Sequence, residues 1–163
     1  MDAACDTFRL SMRSEGLPAA VFRGVLRDLE SAYNSVAVLQ VEPAGRRLRQ
    51  KEKLRIKEIA TPAATEIVFS GIPSAFVILG VSIEFLKKLW DQRQAYFDSE
   101  RDVWVAEIGK KDFRKLPGGA ANGEVRFAAT MAADIFSLFE RIEKARSIDA
   151  FEFQFSDRTL PLK

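Results

Sequence analysis

Residues Ile67 to Leu89 read IVFSGIPSAFVILGVSIEFLKKL, and from Ile67 to Ile83 no residue carries a charge. A run of that kind either crosses a bilayer, which takes about 20 apolar residues, or lies inside a globular core. Gly71-Ile72-Pro73 decides between the two, because it punctuates the run. Before it, Thr65, Ile67 and Phe69 alternate with Glu66 and Val68 as the inward face of a strand. After it, only Ser74 to Ile83 remains uncharged before Glu84, which is too short for a membrane span. The stretch therefore reads as a strand handing over to a core helix, with Phe76, Leu79, Ile83, Leu86, Trp90 and Phe97 along one seam and Ile78, Val81, Phe85 and Leu89 beside it.

The remaining elements follow from periodicity. Phe8, Leu10 and Met12 alternate with Arg9, Ser11 and Arg13, which predicts a half-buried strand. Glu15-Gly16-Leu17-Pro18 ends it, with Pro18 placed at a first helical position. Val21, Phe22, Val25, Leu29, Tyr33 and Val36 then recur at helical spacing, while Arg23, Arg27, Asp28 and Glu30 fall elsewhere on the wheel. From Arg47 to Lys57 cations occupy alternate positions, and Leu54 and Ile56 are expected to face the core of a second strand. Val103, Trp104, Ile108 and Phe113 continue as helix. Val125, Ala128, Ala132, Ile135, Leu138, Phe139 and Ile142 define a further helix capped by Asn122, and Phe151, Phe153 and Phe155 form a last strand.

The order is strand, helix, strand, strand, helices, strand. This predicts a single α+β domain over residues 1–163 in the ferredoxin-like split βαβ arrangement, with an extended or additional helix before the last strand and residues 1–6 disordered. One sheet face would be covered by helices, leaving Arg9, Arg13, Arg55, Lys57, Glu66, Glu152 and Gln154 on the other.

Several chemistries are excluded or unsupported. The 163 residues contain no histidine, which removes Ser-His and Cys-His nucleophile pairs and imidazole metal sites. A single cysteine, Cys5, rules out an internal disulfide and the usual zinc clusters. Asp98, Glu100 and Asp102 alternate as in a calcium loop, but the required glycine and closing glutamate are missing. Glu84 alone interrupts the apolar helix, and its simplest partners are Lys87 and Lys88. No catalytic, cofactor or metal residues are assigned, and the chain is read as non-enzymatic. No export segment precedes Cys5, which predicts a cytoplasmic protein.

Charge supplies the main candidate surface. Arg46, Arg47, Arg49, Lys51, Lys53, Arg55 and Lys57 set seven cations against one acid, Glu52, a local net of +6 in a chain of net +2, so the rest carries −4. Such a run suits an acidic protein, anionic lipid headgroups or nucleic-acid phosphates, or it is a solvated edge that resists aggregation. Nucleic acid is the weaker reading, because the strand aromatics fall on the inner face and none is left to stack on bases. Trp90, Phe97 and Trp104 form a candidate self-association seam along the emerging helix. The predicted role is a protein-interaction or oligomerising module, with a membrane-peripheral protein or a nucleic-acid binder as alternatives.

Glu15-Gly16-Leu17-Pro18, the helix start Phe22-Arg23-Gly24-Val25-Leu26-Arg27, Leu54-Arg55-Ile56-Lys57-Glu58-Ile59 and Glu66-Ile67-Val68-Phe69-Ser70-Gly71 together resemble uncharacterised small α/β proteins of bacteria, some encoded beside effector or signalling modules. The resemblance covers residues 1–90 and implies an accessory or adaptor role, with no site residues carried across.

Overall fold

The computed structural model describes residues 8–60, 64–91, 122–155 and 158–163, with side chains of the last helix described from residue 130 onward. Strand β1 spans Phe8–Ser14, helix α1 Ala19–Ala37, β2 Arg55–Ala60, β3 Thr65–Ser70, α2 Pro73–Asp91, α3 Asn122–Lys144, β4 Ile148–Phe155 and β5 Arg158–Pro161. The strands form one antiparallel sheet in the order β2-β3-β1-β4-β5. The chain is thus a mixed α+β protein. Strand β5 was not expected from the sequence: it has four residues and ends on Pro161, a composition that reads as loop and is tolerated only at an edge.

The period-2 pattern places the core. Phe8, Leu10 and Met12 on β1, Ile67 and Phe69 on β3, and Phe151, Phe153 and Phe155 on β4 are all buried on one face. Their registers put them side by side: Phe8 stands opposite Phe69 and Phe155, and Leu10 opposite Ile67 and Phe153. Phe8 is the centre of the layer, its ring lying 5.6 Å from Phe76 of α2, 5.0 Å from Phe153 and 6.2 Å from Phe155. Aromatic pairs at such separations add roughly 0.5–1.5 kcal/mol each to the burial of their area.

The helices present the stripes their spacing predicts. Phe76, Leu79, Ile83, Leu86 and Trp90 of α2 are buried, as are Val25, Leu29, Tyr33 and Val36 of α1 and Ala132, Ile135, Leu138, Phe139 and Ile142 of α3. Trp90 stacks on Phe136 at 5.6 Å and donates its indole N–H to Glu143 at 2.8 Å. Pro18 is the residue before the first helical turn, and its carbonyl accepts from the Val21 and Phe22 amides. Gly16 supplies the positive φ of 65° in the preceding turn.

Three expectations are corrected. Asp28, placed on the wet side of its helix by the wheel, is buried at 7% exposure because Arg141 of α3 reaches it at 3.1 Å. Glu84 pairs with Arg158 at 2.9 Å instead of with Lys87 or Lys88, and Lys87 instead pairs with Asp91. The second strand, expected to include Leu54, begins one residue later at Arg55, and Gln50–Glu52 before it is a 3-10 turn. Residues 1–6 with Cys5, the acidic triplet 98–102, the continuing helix at 103–113, Phe97 and Trp104 lie outside the described residues.

Gly80 sits where a Cβ would overlap the ring of Phe155, and Ser82 is a fully buried hydroxyl with no hydrogen-bond partner among the described residues. Gly80→Ala is therefore expected to destabilise the protein by about 1–3 kcal/mol through overpacking, whereas Ser82→Ala should be neutral or stabilise by up to about 1 kcal/mol. Urea unfolding midpoints of the two variants check the opposite signs.

A basic loop and edge strand as the candidate functional site

The cationic run folds into a braced loop leading into an edge strand. Leu48 and Leu54 pack partly buried against the core and fix the loop's two ends. Between them Glu52, the run's only acid, is held from three sides. Arg46 grips its carboxylate with its two terminal guanidinium nitrogens at 2.6 and 2.9 Å, and the Arg49 backbone N–H donates to it at 2.6 Å. Its backbone carbonyl accepts from the hydroxyl of Tyr33, which in turn accepts the Ile72 N–H at 2.8 Å. One buried tyrosine thus ties α1, the basic loop and the β3–α2 turn together. The Tyr33 hydroxyl also fills the space that a Cβ on Gly71 would need.

The electrostatic consequence is that Glu52 is neutralised locally. Its carboxyl is lowered to about 2 by the Arg46 hydrogen bonds first and the Arg49 amide second. Arg46 is accordingly committed to an internal pair, and it separates from the other six candidate cations. Arg47, Arg49, Lys51, Lys53, Arg55 and Lys57 all have exposed side chains and form no ion pair among the described residues.

Strand β2 adds an apolar component that alternation did not reveal. Its register slips between Ile56 and Glu58, so that Ile56 lies opposite Phe69 and Ile59 opposite Ile67. Both isoleucines thereby face the helix side, although they are three residues apart. A bulge at Lys57 is the reason. The described helices do not reach over this edge: Ile56 is 46% and Ile59 53% exposed, and no residue of β2 is buried. Ile56 was expected inside; it points the right way but lies beyond the cover. Arg55 and Glu58 stand opposite Ser70 and Val68 on the other face.

Of the candidate self-association seam, Trp90 alone falls among the described residues. Trp90 is 3% exposed within the aromatic cluster, and Phe97 and Trp104 lie outside the described residues.

A second polar cluster lies between α1 and α3. Ser31 donates to Asp134 at 2.6 Å, and Gly24 leaves room for the Arg141 guanidinium to cross α1 and reach Asp28. A cavity of about 280 Å³ opens beside it, lined by Val21, Ser137, Glu140, Arg141, Lys144 and Ala145. Its charges are paired internally, Arg141 with Asp28 and Lys144 with Glu140, so it presents no net field to a ligand. Among the described residues no group of three or more His, Cys, Asp or Glu side chains is placed to hold a metal ion, and no helix is long and apolar enough to cross a membrane. Comparison of the chain with protein-family models, curated proteins and solved structures finds no match.

Two titrations test this geometry. Glu52 has its folded value depressed from 4.5 to about 2, so the stability its pair contributes is present above pH 4.5 and is lost as pH falls through about 2. The Glu52 carboxyl resonance should show its midpoint near 2 and move back toward 4.5 in Arg46→Gln. Asp134 shifts the other way: burial raises its carboxyl above 3.8 and neighbouring Asp28 adds to this, against the Ser31 hydroxyl. The folded state then holds a proton the unfolded state has released, so this group's penalty grows as pH rises from 3.8 through the folded value. Asp134→Asn keeps an acceptor for Ser31 and should raise the thermal midpoint at pH 7, with the gain vanishing below pH 3.8.

Proposed function

We propose that this chain is a non-enzymatic protein-interaction module whose binding surface is the β2 edge with the basic loop before it. The observation that carries the reading is the pairing of two exposed isoleucines with six exposed cations on a braced scaffold. Exposed large apolar side chains beside unpaired backbone edges are what proteins ordinarily avoid, and they mark surfaces that another molecule covers. The bracing by Tyr33 and Arg46 supports the same reading, because a surface ordered before binding loses less entropy on binding.

We read the architecture as the ferredoxin-like split βαβ arrangement, extended by β5 and by a third helix. Its support is the order β2-β3-β1-β4 with antiparallel neighbours throughout. An accessory role beside a larger partner follows from the resemblance to small bacterial α/β proteins, and a cytoplasmic location from the single cysteine and reducing chemistry it suits.

The test is a photo-crosslinking residue at position 56, with position 30 on the exposed face of α1 as control, in cells that naturally make the protein. Adducts to protein at 56 and none at 30 are expected. Equal labelling at both positions, or recovery of only lipid or nucleic acid at 56, removes the reading.

A further inference from the structure

We infer that the occupant of the β2 edge is an extended, acidic segment of another protein that carries apolar side chains at alternate positions. The inference rests on the interaction reading above and names the chemistry of the partner. Two independent features of the surface define it.

The first is charge. With Glu52 neutralised by Arg46, residues 47–59 present Arg47, Arg49, Lys51, Lys53, Arg55 and Lys57 against Glu58 alone, a local net of +5. Arg47, Arg49, Lys51 and Lys53 stand on a loop whose ends are tied to the core, Arg55 and Lys57 on β2, and none of the six is paired with an acid among the described residues. A ligand that answers this pattern is acidic.

The second is the division of faces. Ile56 and Ile59 point to the helix side of the sheet, whereas Arg55 and Glu58 lie on the opposite face. A chain laid along the edge has side chains that alternate between those two faces. Apolar residues on one face would cover the isoleucines, and carboxylates on the other would meet Arg55 and the basic loop. The bulge at Lys57 interrupts any long backbone ladder, so side-chain chemistry sets the specificity.

The same two features weigh against other anionic ligands. Residues 46–60 contain no aromatic side chain on which bases could stack, and a phosphate backbone offers little to cover two isoleucines. Anionic lipid would need a broader apolar face than one pair of side chains.

Fluorescence anisotropy with the full chain in 0.15 M salt tests the inference. The probes are a labelled peptide alternating leucine with glutamate, a polyglutamate of equal length and a mixed-sequence single-stranded RNA; equimolar phosphatidylserine–phosphatidylcholine vesicles are assayed by co-sedimentation. The alternating peptide should bind about tenfold more tightly than polyglutamate, and the Ile56→Thr/Ile59→Thr double variant should abolish that advantage. Both positions are exposed, so the variant folds, and its far-ultraviolet spectrum and unfolding midpoint confirm this. Lys53→Glu/Arg55→Glu should weaken both peptides together. Equal binding of the two peptides, indifference to the threonine variant, tighter binding of RNA or vesicles, or no peptide binding at all overturns the inference. Crosslinking at position 56 separates the two levels: adducts to a protein segment lacking acidic residues would overturn the acidic partner and leave the interaction surface standing, whereas an absence of protein adducts removes both.

Discussion

A sheet packed on one side can be only as wide as the helices that cover it. Neighbouring strands lie about 4.8 Å apart, so the outer strands of a five-stranded sheet are about 19 Å apart, and a strand is dry only where a helix lies over it. The aromatic layer around Phe8 fixes where the cover goes. Phe76 of α2 is locked onto Phe8, Gly80 lets α2 settle against Phe155, and Glu84 reaches across to Arg158 beside β4. The inward residues of β1, β3 and β4 are consequently dry. Strand β2, at the far edge, is left with its isoleucines in solvent.

That partition explains which features could be read from the sequence. Where a strand is covered on one face, every second residue must be apolar, and Phe8/Leu10/Met12, Ile67/Phe69 and Phe151/Phe153/Phe155 announce their orientation without ambiguity. The stripes of α1 and α2 are equally plain. Strand β2 is under no such demand, and its bulge shifts the phase midway, so an alternation argument places Ile56 correctly and misses Ile59. The charge alternation of 47–57 is uninformative for a related reason: solvent-exposed cations are compatible with strand, loop and 3-10 turn alike. Such a pattern carries no conformational information unless an apolar set alternates against it.

Long-range polar pairs were beyond reach for a different reason. Asp28 with Arg141, Ser31 with Asp134 and Trp90 with Glu143 join residues distant in the chain, and no local spacing encodes them. A signal did exist in Gly24. A glycine inside a helix costs about 1 kcal/mol relative to alanine, and here its missing side chain is the space the Arg141 guanidinium occupies. The Arg46–Glu52 pair, six residues apart, matches neither helical nor strand spacing and required the turn itself.

The commitment of Arg46 to Glu52 also shapes what the loop can attract. At 0.15 M ionic strength exposed charges are screened beyond about 8 Å, so the net −4 of the rest of the chain acts weakly on a ligand lying along β2. What such a ligand meets is the local field, and an unpaired Glu52 would oppose that field from the middle of the run. Held by Arg46 and the Arg49 amide, its carboxylate is turned into the loop's own bracing. The same contacts thereby serve both the loop's shape and its sign. A braced cationic surface attracts without selecting, because each exposed ion pair contributes only about 0–1 kcal/mol. On the proposed reading, selection falls to the two isoleucines, whose covering is worth more per residue and rewards only a partner that brings apolar side chains to the right face.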